Sequence, residues 1–216
     1  MFEVVILTVI PELTQNEFDA LLTLVSSEKQ ERIKKFHFKR DAQNCLLGDV
    51  LARIEICRTT NFSIKQLEFS VNAYGKPFLS DSSHIHFNIS HAGHYVACTV
   101  ADQPVGIDIE LIKPVDLKIA ERFFALDETI YIMDDDHTRR FYEVWTKKES
   151  RIKWEGKGLH IALPSFSVLE PNEQEQLTYH EAFQNDEAIC HVCSTKQDVL
   201  SVRVLDIVTF LRHLIL

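Results

Sequence analysis

Gly106-Ile107-Asp108-Ile109-Glu110 is the stretch on which the reading of this chain turns. Its β-branched residues predict a strand, and the two-residue period of a strand sends Asp108 and Glu110 to one face. Thirty-five residues after Glu110 begins Trp145-Thr146-Lys147-Lys148-Glu149-Ser150-Arg151-Ile152-Lys153, which has helical composition. Trp145, Glu149 and Lys153 stand at i, i+4 and i+8 and share one stripe of that helix. The two segments together predict a strand that carries paired carboxylates beside a helix that carries a third carboxylate and an ammonium.

The chain reads as two α+β halves, residues 1–105 and 106–216. In the first half, residues 2–10 form a strand. Thr14 and Glu17 make a capping box for a helix with Phe18, Leu21, Leu22 and Val25 on its apolar stripe. Ser27 caps a basic helix, and a longer helix runs from Arg40 to Arg58 with Ala42, Cys45, Leu46, Val50 and Ile54 inward. Alternation then takes over at Leu67–Val71, Ile85–Ile89, Tyr95–Val100 and Val105–Glu110, with Tyr74–Pro77 and His91–His94 as turns. The second half continues with a helix near 116–123, another after Asp127, and a long one from Thr138 to Trp154 that Gly156 and Gly158 end. Phe166 with Val168, and Leu200 with Val202 and Val204, predict antiparallel strands in the last 50 residues.

The 216 residues carry a formal net charge of −9, with 45% hydrophobic and 25% charged residues. That composition is ordinary for a globular chain, and the acidic balance argues against nucleic acid as the main partner. Charge is nevertheless uneven. Lys29, Arg32, Lys34, Lys35, Lys39 and Arg40 form a basic run that suits a small polyanion or an acidic protein, or simply a solvated helix face. Five widely spread cysteines fit a reducing cytosol better than a disulfide framework. Cys190-His191-Val192-Cys193 is read as part of a strand rather than as a metal site. The apolar N-terminus is too short and too acidic for a signal peptide, and no run of about 18 apolar residues predicts a membrane span.

Mg²⁺ prefers one or two protein carboxylates together with phosphate oxygens and water. Asp108, Glu110 and Glu149 meet that need, so a Mg²⁺-dependent phosphoryl-type site is the functional reading. An exposed acidic strand edge is the bland alternative. Lys153 is either part of that site or an i,i+4 partner of Glu149, and Lys147, Lys148 and Arg151 make a solvated helix face credible. Ser90 and His91 are adjacent on a strand and point to opposite faces, which disfavours a nucleophile–base pair. They are read as phosphate contacts or as turn-stabilising residues. No glycine-rich phosphate loop is present.

With these residues in view, the chain closely resembles the Sfp-type 4′-phosphopantetheinyl transferases. The resemblance rests on Leu46–Arg53, Tyr74-Gly75-Lys76-Pro77, Phe87-Asn88-Ile89-Ser90-His91, Gly106–Glu110, Ala120–Phe124, Trp145–Lys153 and Gly156-Lys157-Gly158-Leu159, and covers about residues 28 to 168. It implies two similar α+β subdomains about a pseudo-two-fold axis, with coenzyme A between them, in a monomeric cytoplasmic enzyme. The implied reaction moves phosphopantetheine from coenzyme A to a serine of an apo acyl or peptidyl carrier protein and releases 3′,5′-ADP. Asp108, Glu110 and Glu149 would hold Mg²⁺, Glu149 would be the base, and Lys153 would serve the departing phosphate. Lys29, Arg32, Lys76, Ser90 and His91 would bind coenzyme A. The sequence departs from the family pattern at Arg151, where an aromatic or aliphatic residue is expected, and its last 45 residues match little. A Mg²⁺-dependent phosphodiesterase and an inert module that binds coenzyme A or carrier proteins are the competing readings.

Overall fold

The computed structural model describes residues 2–158, 161–169, 176–195 and 200–214. Strand β1 (Phe2–Thr8) is followed by helices α1 (Gln15–Leu22), α2 (Ser27–Lys34) and α3 (Lys39–Thr59). Strands β2 (Phe69–Val71), β3 (Pro77–Leu79), β4 (His86–Ala92), β5 (Tyr95–Ala101) and β6 (Val105–Leu111) come next. Helices α4 (Lys118–Phe123), α5 (Leu126–Asp134) and α6 (His137–Glu155) precede β7 (Thr178–Gln184), β8 (Ala188–Ser194), β9 (Ser201–Asp206) and α7 (Ile207–Leu214). Leu159, the last residue of the glycine-rich motif that follows α6, lies outside the described residues.

Alternation in β1 builds the layers. Val5 and Leu7 face α3 and join Leu46, Leu47, Val50 and Leu51 in one buried cluster. Val4 and Ile6 face the other way and pack on Ile107, Ile109, Cys190 and Val192. The first sheet, in the order β4-β5-β1-β9, therefore lies between α3 and the second sheet, β6-β8-β7. Helix α6 covers the far face of the second sheet, and α4 and α5 pack on α6 through Ala120, Phe124, Ile132, Phe141 and Val144. The result is helix, sheet, sheet, helix, with two α+β halves meeting sheet to sheet.

The capping box at Thr14 and Glu17 is present, with Glu17 N–H donating to Thr14 Oγ1 at 3.3 Å and Thr14 N–H to Glu17 Oε2 at 2.8 Å. The cap of α2 is Ser26, one residue before the expected Ser27. Helix α6 ends on Gly156, whose φ of 67° is left-handed and favours glycine. Strand β4 runs on through His91 and Ala92, so the turn that follows it is only Gly93 and His94.

Two expectations about the C-terminal region are corrected. Phe166 and Val168 are not in a strand; they lie in the segment after α6 and pack on the α4–α6 cluster. Strand β9, with Val202 and Val204, pairs parallel to β1 in the first sheet rather than antiparallel within the second half. The antiparallel strands of the second half are β6, β8 and β7. No helix among the described residues is long and apolar enough to cross a membrane.

Candidate active site

Helix α6 lies unusually close to β6, and Gly106 is the reason. A Cβ at that position would sit 2.0 Å from the backbone oxygen of Ser150 and 2.3 Å from the nitrogen of Trp154. Only glycine lets the two backbones approach this far. On the same face of β6, two and four residues on, stand Asp108 and Glu110, and α6 answers with Trp145, Glu149 and Lys153. Lys153 Nζ donates to Asp108 Oδ1 at 2.6 Å and to Ser90 Oγ at 2.8 Å. Ser90 Oγ donates in turn to the same Asp108 oxygen at 2.9 Å. The Trp145 side chain hydrogen-bonds Glu110. The predicted strand face and helix stripe thus meet in one cluster.

The electrostatics follow from three acids sharing a half-buried seam. Burial first, then the charges of Asp108 and Glu149, push the Glu110 carboxyl up to about 7, against the pull of Lys153. Burial and Asp108 also raise Glu149, again opposed by Lys153. Carboxylates that repel one another in a partly dry site are poised either to hold a cation or to carry a proton. Asp108 Oδ2 is buried with no hydrogen-bond partner, an orphaned hard oxygen facing this cluster. In donor type these residues fit Mg²⁺. As the side chains stand, no three His, Cys, Asp or Glu among the described residues gather around one point closely enough to ligate an ion, so side-chain rotation would be needed.

The residues expected to bind coenzyme A fall into three places. Lys29 and Arg32 line a cavity of about 400 Å³ with Asp49, Arg53, Phe69 and Gly75; Lys29 pairs with Asp49 at 3.5 Å, and Asp49 with Arg53 at 2.6 Å. Lys76 lines an adjoining cleft of about 240 Å³ with Asn88, Ile152, Lys153 and Gly156, and Gly75 and Pro77 border both cavities. Its Nζ donates to the carbonyls of Val105 at 3.1 Å and Trp154 at 3.2 Å, and burial lowers its pKa to about 8. Lys76 thus spans the halves, from the β2–β3 turn to the start of β6 and the end of α6. Ser90 faces the second half and His91 the opposite side of β4, as the strand period requires. Crowding by protein and then the Lys153 charge lower the His91 pKa, while Asp41 raises it, although the residue as a whole is exposed.

The solvated helix face that Lys147, Lys148 and Arg151 made credible is not what forms. Lys148 and Glu128 are both fully buried and paired at 2.8 Å. Lys148 also donates to the carbonyls of Leu163 and Phe166, and Glu128 accepts from the amides of Ala125 and Val168. Arg151 is buried, with its guanidinium 4.3 Å from the Phe166 ring centre and its Nε 3.3 Å from Glu155. The planar cation supplies the flat packing surface expected of an aromatic residue there. Cys190 and Cys193 lie three apart on β8 and point to opposite faces, so they form no common metal site. Lys148 carried a signal that its charge obscures: it stands four residues after Val144 and four before Ile152, on a buried stripe of α6 that α5 covers. Asn88 carried one too: it shares a face of β4 with Ser90.

Two family models divide the chain. The model described as "4′-phosphopantetheinyl transferase, N-terminal" matches residues 12–103, and that of the 4′-phosphopantetheinyl transferase superfamily matches residues 104–207. The chain is 45% identical over 159 residues to 4′-phosphopantetheinyl transferase Sfp of Bacillus subtilis (strain 168), covering 72% of this chain and 71% of that one. It is 35% identical over 216 residues to 4′-phosphopantetheinyl transferase gsp of Aneurinibacillus migulanus, covering 94% and 90%. A more distant relative is the mouse L-aminoadipate-semialdehyde dehydrogenase-phosphopantetheinyl transferase, 33% identical over 153 residues, covering 62% and 49%. Together with the acid and lysine cluster on the β6–α6 seam, these matches make the chain a member of the 4′-phosphopantetheinyl transferase superfamily.

Proposed function

We infer that this protein transfers the 4′-phosphopantetheine group of coenzyme A to a serine of an apo acyl or peptidyl carrier protein and releases 3′,5′-ADP. The observation that carries this reading is the cluster of Asp108, Glu110, Glu149 and Lys153 beside a cleft bordered by Lys76 and, further along, by Lys29 and Arg32. Cations along such a cleft suit a ligand with several phosphates. Phosphoryl transfer needs mainly positioning and charge neutralisation, both of which this arrangement supplies.

Asp108, Glu110 and Glu149 are the residues that would hold Mg²⁺, which when bound would neutralise the pyrophosphate. Lys29 and Arg32 would grip the nucleotide end of coenzyme A, with Lys76, Ser90 and His91 nearer the pyrophosphate. Both Lys76 and Ser90 are already engaged inside the protein, so their contribution includes holding the cleft in shape. The serine oxygen bonds to the β-phosphorus as the bond from that phosphorus to the bridging oxygen breaks. Glu149, its carboxyl raised by burial and by Asp108, takes the serine proton. Lys153 lies one turn further along α6 and meets the charge that develops on the departing 3′,5′-ADP.

Both walls of the cleft come from one chain, which supports a monomer. None of the five cysteines is joined to another by a disulfide, which accords with the reducing cytoplasm. The net charge of −9 weighs against nucleic acid as substrate. The test is intact-protein mass spectrometry of an apo carrier protein incubated with the enzyme, coenzyme A and Mg²⁺. A gain of one phosphopantetheine that EDTA abolishes is expected. Release of 3′,5′-ADP with the carrier unmodified would replace this reading by a phosphodiesterase, and coenzyme A binding without turnover by an inert module.

A further inference from the structure

Strand β6 has two edges. One pairs with β8 along its whole length. The other faces β4, where an ordinary sheet would continue through backbone hydrogen bonds. Instead, the Ile107 amide donates to the side-chain oxygen of Asn88 at 2.8 Å, and the Ile109 amide to Ser90 Oγ at 3.4 Å. Asn88 and Ser90 are two residues apart on β4, and the two amides they receive are two residues apart on β6. The residue between those amides is Asp108. Asn88 and Ser90 are 4% and 7% exposed, so solvent is poorly placed to substitute for either oxygen.

We propose that Asn88 is a positioning residue for the transfer reaction: its carboxamide oxygen holds the Ile107 amide, sets β6 against the first half, and so fixes where Asp108 stands between Lys153 and the cleft. Asn88 and Lys153 both line that cleft. Ser90 is already committed to Asp108 and Lys153 as well as to Ile109, which leaves Asn88 as the acceptor dedicated to this seam. Lys76 clamps the same stretch of β6 at the Val105 carbonyl, but it acts through a long flexible side chain. Asn88 acts through a short one, from a strand that is itself paired.

The inference rests on the transferase reading, so the wild-type protein is assayed in parallel, and failure of wild type to modify a carrier would condemn that reading and not this one. Asn88→Ala removes the acceptor, whereas Asn88→Asp keeps an oxygen of the same reach. Amide hydrogen exchange followed by NMR reads the seam directly: Ile107 should lose protection in Asn88→Ala and keep it in Asn88→Asp. In the transfer assay, Asn88→Ala should lower kcat by about 10- to 100-fold, as expected for a misplacement approaching 1 Å. The KM for coenzyme A should stay within about twofold, because Lys29 and Arg32 hold its nucleotide end independently of this seam. Asn88→Asp should recover most of kcat. If Asn88→Ala does not fold, Asn88→Thr, whose hydroxyl falls short of the carboxamide oxygen, makes the same test. A folded acceptor-less variant with wild-type kcat, or a loss confined to KM, would overturn the proposal. So would an Asn88→Asp variant that is as slow as Asn88→Ala while its Ile107 amide stays protected.

Discussion

Replacing Gly106 by Ala adds one methyl group at the most tightly enclosed of the six glycines. The new Cβ would meet the Ser150 backbone oxygen at 2.0 Å, where ordinary contact begins at 3.4 Å, so β6 and α6 must part by about 1.4 Å or distort. Neither obstructing atom is a flexible side chain, so the strain is not relieved by a rotamer change. Overpacking of this kind costs about 1–3 kcal/mol. The kinetic effect should be larger in proportion, because α6 carries Glu149 and Lys153 while β6 carries Asp108 and Glu110. The 2.6 Å contact of Lys153 with Asp108 cannot survive such a separation unchanged. A misplacement of about 1 Å lowers turnover by about 10²-fold. Urea unfolding in EDTA gives the stability term, and carrier-protein mass spectrometry under saturating coenzyme A gives kcat. Ile107→Val is the control. It trims a fully buried neighbour on β6, costs about 0.5–1.5 kcal/mol and leaves α6 in place, so its kcat should be close to wild type. A folded Gly106→Ala enzyme with wild-type kcat would refute the claim that this close approach sets the site.

Glu110→Gln should stabilise the protein in EDTA at pH 8 while impairing transfer. Displacement of the Glu110 carboxyl from 4.5 to about 7 means the native state binds more protons than the unfolded chain between those values, so wild-type stability falls as pH rises through that window. The full displacement corresponds to about 3.4 kcal/mol, and the side chain's partial exposure reduces the expected gain to about 1–2 kcal/mol at pH 8, vanishing below about pH 4.5. A flat difference between variant and wild type across urea melts from pH 4 to 8 would contradict it. Glu149→Gln should slow transfer by about 10²–10⁴-fold with folding preserved, and near-normal turnover would remove Glu149 as the base. Lys148→Ala leaves Glu128 charged and buried without its partner, and should cost about 3–5 kcal/mol by urea unfolding. A loss below about 1 kcal/mol would show that Glu128 finds another partner or solvent.

Much of the site was legible because it sits on regular elements whose periods are known. The two-residue period put Asp108 and Glu110 on one face, and the 3.6-residue period put Trp145, Glu149 and Lys153 on one stripe. The same rule separated Ser90 from His91. Periodicity says which residues share a face but not what that face meets. Residue type allows Lys148 and Arg151 a solvated helix face, but α5 and the segment around Phe166 cover them. Lys76 looked like a phosphate ligand, yet its ammonium reaches two carbonyls of the other half. Strand β9 alternated as a strand should, but which strand it joins depends on which sheet edge is open, and that edge belonged to β1, roughly 200 residues earlier.

Local periods and residue chemistry within each segment carry the α+β class, most of the element order as far as α6, and the acids and lysine of the candidate site; β3 and α7 are too short or too ambiguous in pattern to be read that way. That α6 lies against Gly106, that Lys153 meets Asp108 and Ser90, that Asn88 bridges the halves, and that Lys148 is paired inside the protein are settled only by how the folded segments come together. Each of those facts depends on the distance between segments far apart in the chain, and no local pattern encodes a distance.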